Sequence, residues 1–471
     1  MIKIKQFLED DPSGLSMRLG FKINCRNTID LKSLAEGDML KTFFKYTILS
    51  ILGMVGISAF VFADTYFVSK AFGAIGLAAL NISIPIVNIV NGVALMISIG
   101  GGSAFSILRA QQDIEGANKI FSLTVNTALV IGIVFMSIGI LFSENLAKIF
   151  GADTDTLAMS LTYIRTILLC APVNMINSIL ISFSRNDHKP ALAMVGVMAG
   201  GLTNILFDYL LMFPLQMGMF GAAIATGLSP LVGIAIILLN RFKDTSNYRY
   251  IKTAEVKPLG RIIKLGTPSF ITELSGAFVL ILFNLIILSI SGNIGVASYG
   301  IIANISFIVI AIFTGLGQGL QPIASAAYGV KDMFRLRQYL KFGIIAALLI
   351  SAIMYAVLFM FTKDVVTIFN AEKLIELEQI ASRGIRIYFL GFFFAGMNIV
   401  VLLYQAAIER VHSSFLISTL RGFVVIFFVV LLTSKLWQLD GVWISFVITE
   451  GIVFITSLII LQVEKRNIER A

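Results

Sequence analysis

GGLTNILFDYLLMF, residues Gly200 to Phe213, places one aspartate in a run that otherwise reads as membrane-spanning. Asn204 and Asp208 are four residues apart, so a helix stacks them on one face. A carboxylate in a bilayer is costly, and intramembrane acids are rare and mostly functional. Everything around this run should therefore be an apparatus that makes such a carboxylate tolerable and useful.

Composition supports that reading. The chain has 471 residues, 57% hydrophobic and only 13% charged, with mean hydropathy +0.91. A soluble chain would carry about a quarter charged residues. Apolar windows of about 20 residues recur along the chain, each long enough to cross a hydrocarbon core of roughly 30 Å as a helix. Predicted spans run approximately over 43–68, 77–107, 120–142, 158–183, 191–213, 221–240, 264–291, 296–328, 342–361, 382–405, 414–434 and 441–461. The fold class is an all-α integral membrane protein of twelve transmembrane helices.

The net charge of +9 does not point to nucleic acid, because no soluble segment interleaves a basic stripe with aromatics. Topology explains it better. With the N-terminus inside, inward tails and loops hold about 27 Lys and Arg and outward loops about five, so both termini are expected in the cytoplasm. Met1 to Lys41 is polar and of mixed charge, without the apolar core of a signal peptide, and reads as a cytoplasmic tail ending in a surface-lying helix. Cys25 in this tail and Cys170 in an apolar span do not suggest a disulfide framework.

The chain also repeats. At an offset of 219 residues, Gly73, Ile75, Gly76 and Ala78 recur as Gly292, Ile294, Gly295 and Ala297, followed by Gly100/Gly319, Ser106/Ser325 and Asp113/Asp332. Two pseudo-symmetric six-helix bundles follow, related by an axis along the membrane normal. The expected domains are a tail over 1–42, one half over 43–240, a basic inner linker over 241–263, a second half over 264–461 and a tail over 462–471.

Four acids lie inside spans: Asp64, Asp208, Glu273 and Glu450. Topology puts Asp64, Asp208 and Thr226 in the outer part of the first half, with Asn204 about 6 Å deeper than Asp208 and Asn81 opening the second span. Two carboxylates, an amide and a hydroxyl form an oxygen-rich site suited to a proton or Na⁺. Asp64, Asn204, Asp208 and Thr226 are thus the candidate coupling residues and the candidate Na⁺ ligands, the bland alternative being helix capping near the interface.

Glu273 and Glu450 each lie roughly 13 Å deep, from opposite membrane faces. They are candidates for substrate or a second ion, or else helix-bonding glutamates, with Arg421 the natural partner of Glu450. Asn177 with Asn174, Gln318 with Gln321, and Asn398 with Gln405 could line a wet path, although bonding between helices is the default for such residues. His188 and His412 read as solvated residues of matching inner loops. The 17 Met and 38 Phe residues would suit a pocket for bulky lipophilic ligands, and equally lipid-facing surfaces.

The chain resembles the multidrug and toxic compound extrusion (MATE) family, in its staphylococcal-type bacterial branch. The resemblance rests on ADTYFVSKAFGAIGLAALNISIP around Asp64, GLTNILFDYLLMFP around Asp208, GAAIAT over Gly221 to Thr226, GLGQGLQPIASAAYG over Gly315 to Gly329, and YQAAIER near Gln405. It implies two six-helix lobes around a cavity that opens alternately to either side. It also implies efflux of cationic or amphiphilic organic compounds in exchange for H⁺ or Na⁺. Family roles fall on Asp64, Asn204, Asp208 and Thr226 as the cation site and on Glu273 as the acid of the seventh helix. One departure stands out, since Arg383 to Gln405 contains no acid and a cation site in the tenth helix is not expected.

The expected protein is a monomer of a bacterial cytoplasmic membrane, with small organic substrates and no cofactor beyond the coupling ion. The alternative is a flippase for lipid-linked saccharides, which would need an arginine-lined cavity. Intramembrane proteolysis and ATP coupling find no motif: no span contains a histidine and no P-loop is present.

Overall fold

The computed structural model describes residues 39–241, 248–252, 255–369 and 374–470. Most of the N-terminal tail, Cys25 included, lies outside the described residues. Among the described residues there is no strand.

The helices are α1 (Met39–Gly73), α2 (Ile75–Ala110), α3 (Ile114–Ile149), the bent pair α4 (Leu157–Leu169 and Ala171–Asn186), α5 (Pro190–Met212) and α6 (Gly218–Asn240). A 71-residue stretch, Leu259–Gly329, and a 53-residue stretch, Val411–Val463, flank Met333–Met360 (α9) and Ile375–Ala407 (α10). Neither long stretch is one straight rod, since 71 residues of helix would run about 107 Å.

The long stretches double back. Gly292 has φ 59° and ψ −155°, and its repeat partner Gly73 has φ 60° and ψ −144°. That conformation is essentially reserved for glycine, which lacks a Cβ to clash. Across Gly292 the rings of Phe283 and Tyr299 lie 5.4 Å apart, where a straight helix would separate them by about 24 Å. Likewise the Thr433 hydroxyl donates to the Gly441 carbonyl at 2.7 Å across a break at Trp437 and Gln438. Leu259–Gly329 therefore supplies α7 (259–291) and α8 (293–329), and Val411–Val463 supplies α11 (411–436) and α12 (439–463), giving twelve arms among the described residues.

Pseudo-symmetry extends to the caps. Asp113 and Asp332 have φ/ψ of −82°/80° and −82°/84°, and each side chain accepts a backbone N–H three residues on, from Gly116 at 2.8 Å and Arg335 at 3.0 Å. Both are N-caps that satisfy a donor the helix leaves open. They also explain why α3 and α9 begin earlier than hydropathy predicts, at Ile114 and Met333: hydropathy marks the lipid boundary, whereas the cap marks the end of the helix. The histidines depart from the sequence reading. His188 occupies a left-handed turn at φ 61° and shares a 2.9 Å hydrogen bond with the Tyr46 hydroxyl, while His412 lies in the first turn of α11. The backbone equivalent of His188 is Glu409, also at φ 61°.

Helices α3 to α6 pack among themselves, and the α7–α8 hairpin packs on α9, α10 and α11. Within a membrane, such packing relies on close van der Waals contact and small residues. The linker belongs to the first half: Tyr248 is buried among Phe105, Phe121 and Phe183, and Arg249 and Ile251 donate backbone N–H groups to Asn118 and Ser122 at 2.8 Å each.

The halves meet tightly on the linker side. A Cβ added at Gly266 would lie 1.7 Å from the Met96 carbonyl oxygen, and one at Gly100 would lie 2.0 Å from the Ile262 carbonyl oxygen. Added at Gly319, it would lie 2.6 Å from the Thr47 Cα. Two polar bridges reinforce this floor: Arg185 donates to Gln318 at 2.6 Å, and Gln321 donates to the Ser103 hydroxyl.

Candidate cation site and a buried ion pair

Asn204 and Asp208 stack on the inner face of α5, as their spacing requires, and both are buried, Asp208 completely. Around them lies an apolar cluster of Val68, Ala79, Leu80, Ile167, Met212 and Ala222, contributed by α1, α2, α4, α5 and α6. Asp64 reaches this cluster from α1 and is 9% exposed. Helix α1 continues to Gly73, nine residues or about 14 Å beyond Asp64, so this acid sits deeper than hydropathy suggests. Asn204 donates to the Thr226 hydroxyl at 3.3 Å.

Four buried oxygens here have no hydrogen-bond partner: Asp64 Oδ1, Asn204 Oδ1, and both Asp208 oxygens. An unsatisfied buried acceptor costs about 1–3 kcal/mol, and more if charged. Such a cluster persists when its lone pairs are aimed at something that comes and goes. A proton or a small hard cation satisfies them; a second anion does not. Among the described residues no three His, Cys, Asp or Glu side chains are grouped to hold a metal, so a cation here would take mixed carboxylate, amide and hydroxyl oxygens.

Sequence reasoning missed Tyr163. It belongs to the same buried cluster, beside Asp64 and Thr226, and is 3% exposed. The signal was faint: a polar-tipped aromatic in a span with several other hydrophilic residues. Asn81, by contrast, is exposed on α2 and does not share the burial of this cluster.

A second centre lies in the other half. Arg421 on α11 donates through Nε to Glu450 Oε1 on α12, and Asn398 on α10 donates to Glu450 Oε2 at 2.8 Å and to its carbonyl at 2.9 Å. Ser457 completes the network by donating to Asn398 Oδ1 at 3.2 Å. Arg421 sits in a π-helical turn, Leu420–Val424, a form that recurs at functional sites because it swings a side chain out of register. Glu450 is thus internally neutralised rather than open to a ligand. Glu273 stands apart, half-buried on α7, with its Cβ beside Gly92 of α2 at the junction of the halves.

The remaining candidates mostly join helices. Gln318 and Gln321 bridge the halves, Asn174 bonds to the Cys170 carbonyl, and Asn177 Oδ1 is buried beside Gly233 with no partner.

These features define a multi-pass helical membrane protein of two repeated halves, with acids held inside its spans. The chain belongs to the MatE family, whose model matches residues 50–210 and 268–433, one stretch in each half. It is similar to the multidrug export protein MepA of Staphylococcus aureus, 24% identical over 90% of this chain and 94% of that protein, and equally to MepA of Staphylococcus saprophyticus. Among solved structures, an outward-facing multidrug resistance MATE family transporter of the MOP superfamily superposes with TM-score 0.88 at 21% identity, over 93% of this chain and 98% of that one. A MOP superfamily transporter from Pyrococcus furiosus gives TM-score 0.86 at 22% identity, over 92% and 97%. These superpositions establish a shared fold.

Proposed function

We propose that this protein is a secondary active efflux antiporter that exports cationic or amphiphilic organic compounds in exchange for H⁺ or Na⁺. It would act in a bacterial cytoplasmic membrane as a monomer, with both termini inside and six-helix halves over 43–240 and 264–461. The observation that carries the proposal is the set of four unpartnered, buried oxygens of Asp64, Asn204 and Asp208. Loading them removes a desolvation cost, and unloading restores it. A machine whose conformations differ in how well they shield that site therefore couples ion entry to reorientation. Thr226 supplies one more ligand and Tyr163 orients Asp64.

Kinship with relatives named as multidrug export proteins supports the substrate class. The half-buried Glu273, at the junction of the halves, is the acid best placed to meet a cationic substrate. Glu450 and Arg421 serve to hold α10, α11 and α12 together.

The test is efflux of a fluorescent organic cation from proteoliposomes, with H⁺ and Na⁺ gradients imposed separately. Asp208→Asn should abolish gradient-driven efflux while leaving the fold intact. Near-wild-type efflux by this variant would reject the assignment.

A further inference from the structure

On the membrane face opposite the linker, a half-open cleft of about 690 Å³ lies where α9 gives way to α10. Lys363, Arg383 and Arg386 line it, with Glu378 and Ser382. Arg383 is already paired with Asp440 at the start of α12. Among the described residues, Lys363 and Arg386 form no ion pair. Arg386 instead lays its guanidinium over the Phe359 ring, 5.2 Å from the centroid, which fixes the group and keeps its N–H edges available to an anion. The Ser382 hydroxyl is buried in the same wall without a partner.

The surroundings show what kind of anion fits. Phe359, Met360 and Phe361, at the end of α9, are 49%, 74% and 51% exposed, and Ile375, at the start of α10, is 72% exposed. Bulky apolar side chains this open suit acyl chains, and the cations Lys363 and Arg386 beside them suit a headgroup. A soluble anion would use the basic residues and waste the apolar skirt. An amphiphile uses both.

We infer that this cleft binds the phosphate of an anionic phospholipid in the leaflet opposite the linker, with the acyl chains lying along the skirt of Phe359, Met360 and Phe361. Bound there, the lipid bridges the end of α9, the start of α10 and, through Arg383 and Asp440, the start of α12. The inference is independent of the transport reading.

The chain carries its own reporter. Of its two tryptophans, Trp443 is buried and Trp437 is 53% exposed, three residues from Asp440. The purified full-length protein is placed in phosphatidylcholine nanodiscs with a rising share of dibromo-phosphatidylglycerol, and Trp437 quenching is recorded. Each interfacial Lys or Arg strengthens anionic-lipid binding about fivefold, so Lys363→Gln with Arg386→Gln should weaken binding about 30-fold and leave quenching far below half at the share that half-quenches the parent protein. Lys148→Gln, which removes an exposed lysine paired with Glu144 at the far end of α3, should leave it unchanged. Inorganic phosphate should compete no better than sodium chloride of equal ionic strength. Equal quenching by dibromo-phosphatidylcholine, or an equal loss with Lys148→Gln, would overturn the inference. So would displacement by inorganic phosphate, which would reassign the cleft to soluble anions.

Discussion

Gly266→Ala is the sharpest test of how the two halves meet. The new methyl carbon would lie 1.7 Å from the Met96 carbonyl oxygen and 2.5 Å from its carbon, both of them backbone atoms that cannot swing aside. Side-chain Cβ atoms essentially never approach within 3.0 Å, so α2 and α7 must part by more than 1 Å. Overpacking of this kind costs about 1–3 kcal/mol. In the alternation proposed above, that cost falls on conformations closed on the linker side, so it should shift the balance away from them by about 5- to 150-fold. Ser103, fully buried and bonded to Gln321 at this closure, reports the shift. In a background with Cys25 and Cys170 changed to Ser, a Ser103→Cys protein in detergent should react slowly with a polar maleimide. Adding Gly266→Ala should accelerate labelling at least about fivefold. Gly276→Ala on the same helix, where a Cβ meets nothing within 4 Å, should leave the rate unchanged. A folded Gly266→Ala protein that labels at the parental rate would refute the reasoning.

Arg421→Met should destabilise the protein by about 3–5 kcal/mol, because it leaves Glu450 buried without its counter-charge, whereas the double variant with Glu450→Gln should recover most of the loss. Denaturation midpoints of the four proteins in detergent measure this, and strictly additive effects would contradict a direct pair. Tyr163→Phe removes the hydroxyl beside Asp64 and should weaken coupling-ion half-saturation by about 10- to 100-fold, with maximal transport less affected. A half-saturation within twofold of wild type would show that Tyr163 merely packs. Asp113→Ala and Asp332→Ala should lower thermal stability by similar amounts, since the two caps are geometric twins. A strongly unequal pair of losses would argue against equivalent roles.

The sequence by itself determined what periodicity and cost can encode. Runs of about 20 apolar residues cannot remain in water, so the spans were fixed locally. Gly73 and Gly292 have nearly identical backbone angles, in a region that a residue without a Cβ enters at least cost, which is why the repeat was visible as a glycine match. Asn204 over Asp208 was legible because one helical turn relates them. Tertiary structure decided everything that joins distant positions. No local pattern says that Tyr163 should lie between Asp64 and Thr226, or that Asn81, at a suitable depth, should face away from them. Arg421 was a natural partner for Glu450 on grounds of charge, but the part played by Asn398, 52 residues before Glu450, depended on how α10 lies against α12. Depth follows from the chain's own length along each helix, whereas azimuth and approach follow from which small residues let two helices touch, and that is settled only when both helices are in place.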